Sequence, residues 1–216
     1  MGNQSKETPN DKVKSEKYLT SAGVEVDTQG HTREWISDFE DKVVEWVEYA
    51  GASPDEEMEK DQIDFILDNM EDSENNPEVP YGFLTRAEHG HHLLEKLWSG
   101  EVGIGDLLPD KATFRSYGRS PDATIQYMHG WEDDSVIIYR TNNNTKHFNA
   151  TNWCDTFSSE KESFVEQGKM RIDNITSFER DADGSYNELF KELGISDKEL
   201  PYIYTEEVII IDVSPA

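Results

Sequence analysis

The chain is poor in cysteine, in bases and in long apolar runs, and each shortage excludes something. Cys154 is the single cysteine in 216 residues, so no intrachain disulfide forms and a small disulfide-stapled secreted scaffold is excluded. Inert packing is its expected role. Twenty Lys and Arg stand against 46 Asp and Glu, a net charge of −26. Nucleic-acid phosphates are bound by clustered Lys and Arg through counterion release; no such cluster is visible, so nucleic acid is not an expected partner. An anionic membrane surface is disfavoured for the same reason. No apolar run approaches the roughly 20 residues needed to span a bilayer, and the N-terminus has no apolar signal core. Met1-Gly2-Asn3-Gln4-Ser5-Lys6 puts Lys6 where a myristoylation signal wants Ser or Thr. The chain is therefore not expected to be secreted through a signal peptide.

What is present is enough to fold. Five Trp, nine Tyr and nine Phe supply large apolar surfaces, while 31% charged residues leave a polar exterior. Residues 34–78 alone hold 17 acids and 2 bases, or −15. Two readings of this acidity compete: a local module that meets a basic partner, or adaptation to high salt, where screening relieves self-repulsion. The second is favoured because acids are also frequent from 155 to 207.

Residues 1–30 carry no sustained apolar period and read as a flexible or partner-ordered arm. Residues 31–80 read as acidic amphipathic helices. Trp35, Ile36, Phe39, Val43, Trp46 and Val47 recur at helical spacing up to Gly51. A second helix start is expected at Ser53-Pro54-Asp55-Glu56, with Met58, Ile63, Phe65, Ile66 and Met70 on its buried face. Next come a short strand at Tyr81–Leu84, a capping box at Thr85–Glu88, and a helix burying Leu93, Leu94, Leu97 and Trp98. His89, His91 and His92 near that helix start lack the partners of a metal site and read as solvated or capping histidines.

Further along, Ala112–Tyr117 is strand-like, and Ser120-Pro121-Asp122 caps a short helix. Ser135–Arg140 is a strand, Asn142-Asn143-Asn144 a turn, and Phe148–Phe157 a possible further strand. Residues 158–203 read as polar helix-like pieces, including Glu188–Leu193 ending at Gly194, and Val208–Val213 as a buried strand.

Four segments in order then carry a resemblance: Phe83-Leu84-Thr85-Arg86, Gly103-Ile104-Gly105-Asp106, Phe114-Arg115-Ser116-Tyr117-Gly118, and Thr205-Glu206-Glu207-Val208. Over residues 81–213 the chain resembles mono-ADP-ribosyltransferases of the Arg–Ser–Glu type. In that family an Arg ends an early strand, a Gly-Asp lead-in precedes a Phe-x-Ser-Thr-Ser strand and helix, and a Glu sits just before an apolar strand. The resemblance implies an α+β fold with a split β-sheet core over 81–216, preceded by the acidic helical region. It also implies NAD as substrate, a protein acceptor, and no metal. Arg86 and Ser116 would bind the dinucleotide and hold the site, while Glu207, with Glu206, would stabilise the charge that develops on the ribose.

Three departures stand out: Ala87 follows the Arg where the family commonly has Gly, Ser-Tyr-Gly replaces Ser-Thr-Ser, and Thr205 occupies the position two before the Glu, which is often Glu or Gln and helps select the acceptor. The span from Ser116 to Glu207 is longer than usual, implying an insertion between Asn142 and Tyr202. A second register uses Arg140 and Ser177 with the same Glu207. The competing functional expectations are a virion or head-assembly protein of a halophile's virus with weak or no activity, and an acidic adaptor for a basic protein. The expected location is cytoplasmic or virion-associated.

Overall fold

The computed structural model of the chain describes residues 16–48, 58–74, 76–109, 112–128, 131, 133–154, 161–196 and 203–216. Within the stretch expected as an arm, β1 (Lys17–Leu19) and β2 (Glu25–Asp27) form an antiparallel hairpin. It is fastened to α1 (Arg33–Glu48) through Glu40, whose carboxylate accepts from Tyr18 Oη at 2.7 Å and from the Ser21 amide at 2.5 Å. The α1 face read from the sequence is inward: Ile36, Phe39, Val43, Trp46 and Val47 are buried. Thr32 caps the helix by accepting from the Trp35 amide at 3.2 Å. The helix start expected at residues 53–56 lies outside the described residues. α2 (Lys60–Asp68) opens instead on a capping box between Glu59 and Gln62, and buries Phe65 and Ile66.

The elements that follow are β3 (Glu71–Asp72), β4 (Thr85–His89), α3 (His91–Ser99), β5 (Phe114–Gly118), α4 (Pro121–Tyr127), β6 (Ser135–Thr141), β7 (Lys146–Asn149), β8 (Glu162–Glu166), β9 (Met170–Glu179), α5 (Asn187–Glu192) and β10 (Glu207–Pro215). The fold is thus α+β, as expected. One sheet runs in the order β3-β7-β8-β5-β4-β6-β10-β9. Its halves are joined at a single register pair, Thr85 with Gly118, because β5 otherwise pairs with β8 and β4 with β6. That one-pair join is the split in the core.

Two local readings are corrected. Thr85–Glu88 is no capping box but most of β4, paired along its length with β6, and the helix starts after Gly90. Thr85 and Ala87 are buried while Arg86 and Glu88 are not, the alternation of a strand. α3 ends at Gly100, whose φ of 73° is the left-handed cap that favours glycine. Trp98, expected on the buried face, is 69% exposed.

Residues 162–179, read as polar helical pieces, are the strands β8 and β9. β9 lies at the sheet edge with its polar residues exposed, so a half-solvated strand mimicked the low hydropathy of a surface helix.

The core has three parts. Leu84, Tyr117, Ile137, Tyr139, Ile209 and Ile211 gather on one sheet face. On the other, Ala87, Val136, Ile138, Val208 and Ile210 meet α4 and α5 through Ile125, Met128 and Leu189. The third packs α1 and α2 against Phe114, Phe148 and Phe164. Cys154 is buried and forms no disulfide.

Candidate active site at the split of the sheet

Arg86 and Ser116 stand beside the join of the two half-sheets. β4 holds Arg86 because its neighbours Thr85 and Ala87 are buried. Thr85 is pinned to α4 by a 2.7 Å contact between its hydroxyl and that of Thr124, which also donates to the Thr85 carbonyl at 3.2 Å. The Arg86 side chain is 22% exposed. Its Nη1 donates to the Ser116 carbonyl at 3.5 Å, and Nη2 lies 3.6 Å from Glu88 Oε2. Arg86 Nε and Ser116 Oγ are both buried with no hydrogen-bond partner. Buried polar atoms are rarely left so, and these two belong to neighbouring strands beside the join, where the Arg86 guanidinium reaches the Ser116 backbone.

Gly118 sits at the join itself. A Cβ there would meet Thr124 Oγ1 at 3.3 Å and the Ser120 carbonyl at 3.4 Å, so the serine that the resemblance expects would fit only if these neighbours gave way slightly. α4 starts two residues on, after Ser120, with Pro121 in its first turn.

Register then decides which carboxylate is near. Thr85, Gly118 and Glu162 lie level on the three successive strands β4, β5 and β8. Two strand spacings separate Thr85 from Glu162, about 10 Å. Ser116 is paired with Phe164, so Ser116 and Glu162 are diagonal neighbours on one face of β5 and β8. Glu207 is level with Ser135, whereas Arg86 is level with Tyr139, four residues further along β6, and β10 is two strands from β4. That separation is about 16 Å. The structure brings Arg86 and Ser116 together and sets Glu207 apart from them.

Glu207 is instead held at the start of β10 by Ser135 Oγ at 3.1 Å and by Ser177 Oγ, directly opposite Glu179. Glu206 is exposed beside it. In the second register, Arg140 is level with Asp212 and Ser177 with Ile209, three residues apart on β10 and thus on opposite faces. The Arg140 guanidinium is occupied by Asp212 at 2.6 Å and Glu192 at 2.8 Å. Burial works against its charge, but these two carboxylates outweigh burial and raise its pKa above the ordinary guanidinium value.

Glu162 is the residue that sequence reasoning passed over. A signal existed: Glu160-Lys161-Glu162 precedes the apolar Ser163-Phe164-Val165, which is the Glu-before-strand arrangement of the resemblance with an acid two residues earlier. Among the described residues no group of three or more His, Cys, Asp and Glu could hold a metal ion. His89 pairs with Asp133 at 2.7 Å and stacks on Trp131.

No family model and no curated protein matches this chain. Solved structures that align with it include chains described as ADP-ribosyltransferases. The toxin Vis of Vibrio splendidus, in complex with agmatine, is 13% identical over 86% of each chain, with a TM-score of 0.43. An ADP-ribosyltransferase of Clostridium botulinum is 9% identical over 82% of this chain and 85% of its own, with a TM-score of 0.47. The catalytic domain of VahC from Aeromonas hydrophila is 16% identical over 61% of this chain, with a TM-score of 0.36, and the present chain spans only 59% of it. TM-scores of this size describe a loose likeness of chain traces and say nothing about which side chains act.

Proposed function

We propose that the chain is an NAD-dependent mono-ADP-ribosyltransferase acting on a protein, with its site at the split of the sheet. The observation that carries this reading is the join of the half-sheets, where the Arg86 guanidinium reaches the Ser116 carbonyl, Arg86 Nε and Ser116 Oγ are buried without partners, and Glu162 lies diagonal to Ser116. Arg86 supplies the cation for the dinucleotide pyrophosphate, which in a chain of net charge −26 needs a local counter to general repulsion. Cleavage of the bond between ribose C1′ and the nicotinamide nitrogen releases nicotinamide with the bonding pair and leaves positive charge on the ribose. Glu162 stabilises that charge electrostatically. Ser116 Oγ orients either the carboxylate or a ribose hydroxyl. The acceptor nucleophile then bonds to C1′ and gives up its proton.

The test is a thermal melt with NAD and an assay of NAD cleavage in the wild type, Arg86→Ala, Glu162→Gln and Glu207→Gln. NAD at 100 times its Kd adds about 2.7 kcal/mol of stability, or roughly 2–4 °C per kcal/mol in a chain of this size. The shift is expected in all but Arg86→Ala, and cleavage is expected in the wild type and Glu207→Gln but not in Glu162→Gln. Absence of any NAD shift would overturn the reading. Loss of cleavage in Glu207→Gln with retention in Glu162→Gln would move the carboxylate to β10.

A further inference from the structure

Lys161, immediately before Glu162, has a φ of 51°, and among the described residues Gln29 is the only other non-glycine with positive φ. Left-handed backbone in a lysine persists where surrounding structure imposes it, and here the imposing group is Arg119. This arginine follows β5 directly and is 6% exposed. It holds one carbonyl twice: its amide donates to the Lys161 oxygen at 3.1 Å and its Nε to the same oxygen at 3.0 Å. The other two guanidinium nitrogens are each engaged, Nη1 with Glu78 Oε2 at 2.5 Å and Nη2 with Thr151 Oγ1 at 2.5 Å. Glu78 also accepts from Asn149 Nδ2, and Thr151 Oγ1 donates to Asn149 Oδ1 at 2.7 Å. Asn149 is the register partner of Ser163. One network, buried at Arg119 and open to solvent at Glu78, therefore holds Lys161 and meets Ser163 through Asn149, the residues on either side of Glu162.

We propose that Arg119 is a positioning residue: by clamping the Lys161 carbonyl it fixes the left-handed backbone from which Glu162 enters β8 diagonal to Ser116. This inference rests on the proposed transferase reading, and touches neither NAD nor acceptor directly. A planar guanidinium can bond Lys161, Glu78 and Thr151 at once, whereas a lysine ammonium at the end of a flexible stem retains the charge for Glu78 but not the fork. Because misplacement by about 1 Å can cost about 100-fold in rate, the effect should fall on kcat rather than on NAD binding.

Two readouts on Arg119→Lys and Thr151→Val, with Glu162→Gln as background, test the idea. Hydrogen exchange reads the clamp without any activity. Arg119→Lys should lose protection at the amides of Ser163 to Val165 while the β9–β10 amides keep theirs, and Thr151→Val, which leaves the Lys161 contact in place, should not. NAD-cleavage kinetics read the consequence. Arg119→Lys should lower kcat about 10- to 100-fold with KM for NAD within about two-fold, Thr151→Val should stay near wild type, and Arg119→Lys should add no loss to Glu162→Gln. Unchanged exchange, or a kcat loss shared equally by Thr151→Val, would overturn the inference. Lost protection in Arg119→Lys, together with no NAD cleavage by the wild type, would keep the clamp and sink the transferase reading instead.

Discussion

Among single residues, His147 makes the clearest pH prediction. Its ring is fully buried, Nε2 has no partner, and Nδ1 lies 3.4 Å from Ser73 Oγ. Burial, aided by the nearby Arg119 charge, lowers its pKa to about 4. The folded state thus resists the proton that the unfolded chain accepts at its ordinary value of about 6.5. Its contribution is fully present above that value and is lost as pH falls from about 6.5 towards about 4. Denaturant midpoints from pH 7 to pH 5 should fall more steeply in the wild type than in His147→Leu, the slopes differing by up to about 1.4 kcal/mol per pH unit. Equal slopes would mean that the ring is protonated in the fold. Arg86 and Ser116 show at the same scale how far residue identity goes: both were legible as candidates, but their adjacency depends on which strand lies beside which.

At the scale of elements, α1 is the part whose packing bears most directly on the strands of the site. Trp46 packs against Phe164 with ring centroids 3.8 Å apart and planes tilted by 36°, and reaches Phe114 at 6.1 Å. These two phenylalanines lie on β8 and β5, the strands of Glu162 and Ser116. Trp46→Ala should cost about 3–5 kcal/mol, measured as a lower urea midpoint, and a loss below about 1 kcal/mol would show that the helix contributes little to the strands it covers. The period of α1 was plain in the sequence because one face is apolar and the other acidic. β8 and β9 were not plain: β8 has a short apolar centre, and β9 exposes one side. Strand pairing supplies the hydrogen bonds that a reading of hydropathy along the chain does not see.

For the molecule as a whole, net charge governs solution behaviour. Like charges meet even within the ladder, where Glu207 opposes Glu179 across β10 and β9. Raising NaCl from about 0.01 M to about 1 M shortens the Debye length from about 30 Å to about 3 Å, and Tm should rise by several degrees. A flat or falling Tm would show that the acids are already compensated pairwise. The three clusters of the core do not depend on this, since they are built from apolar residues on both faces of one sheet.

The sequence by itself determined the acidic exterior, the amphipathic α1, the strands β6 and β10, and the start of α4 at Pro121, because each rests on composition, a local period of apolar residues or a proline. Only the tertiary structure decided that Glu162 lies diagonal to Ser116 and that Glu207 lies far along the sheet from Arg86. Glu162 and Glu207 both precede apolar strands and look equivalent along the chain. They part when β8 pairs with β5 and β10 with β6, since register across strands is set by the burial of whole faces and not by any residue's immediate neighbours.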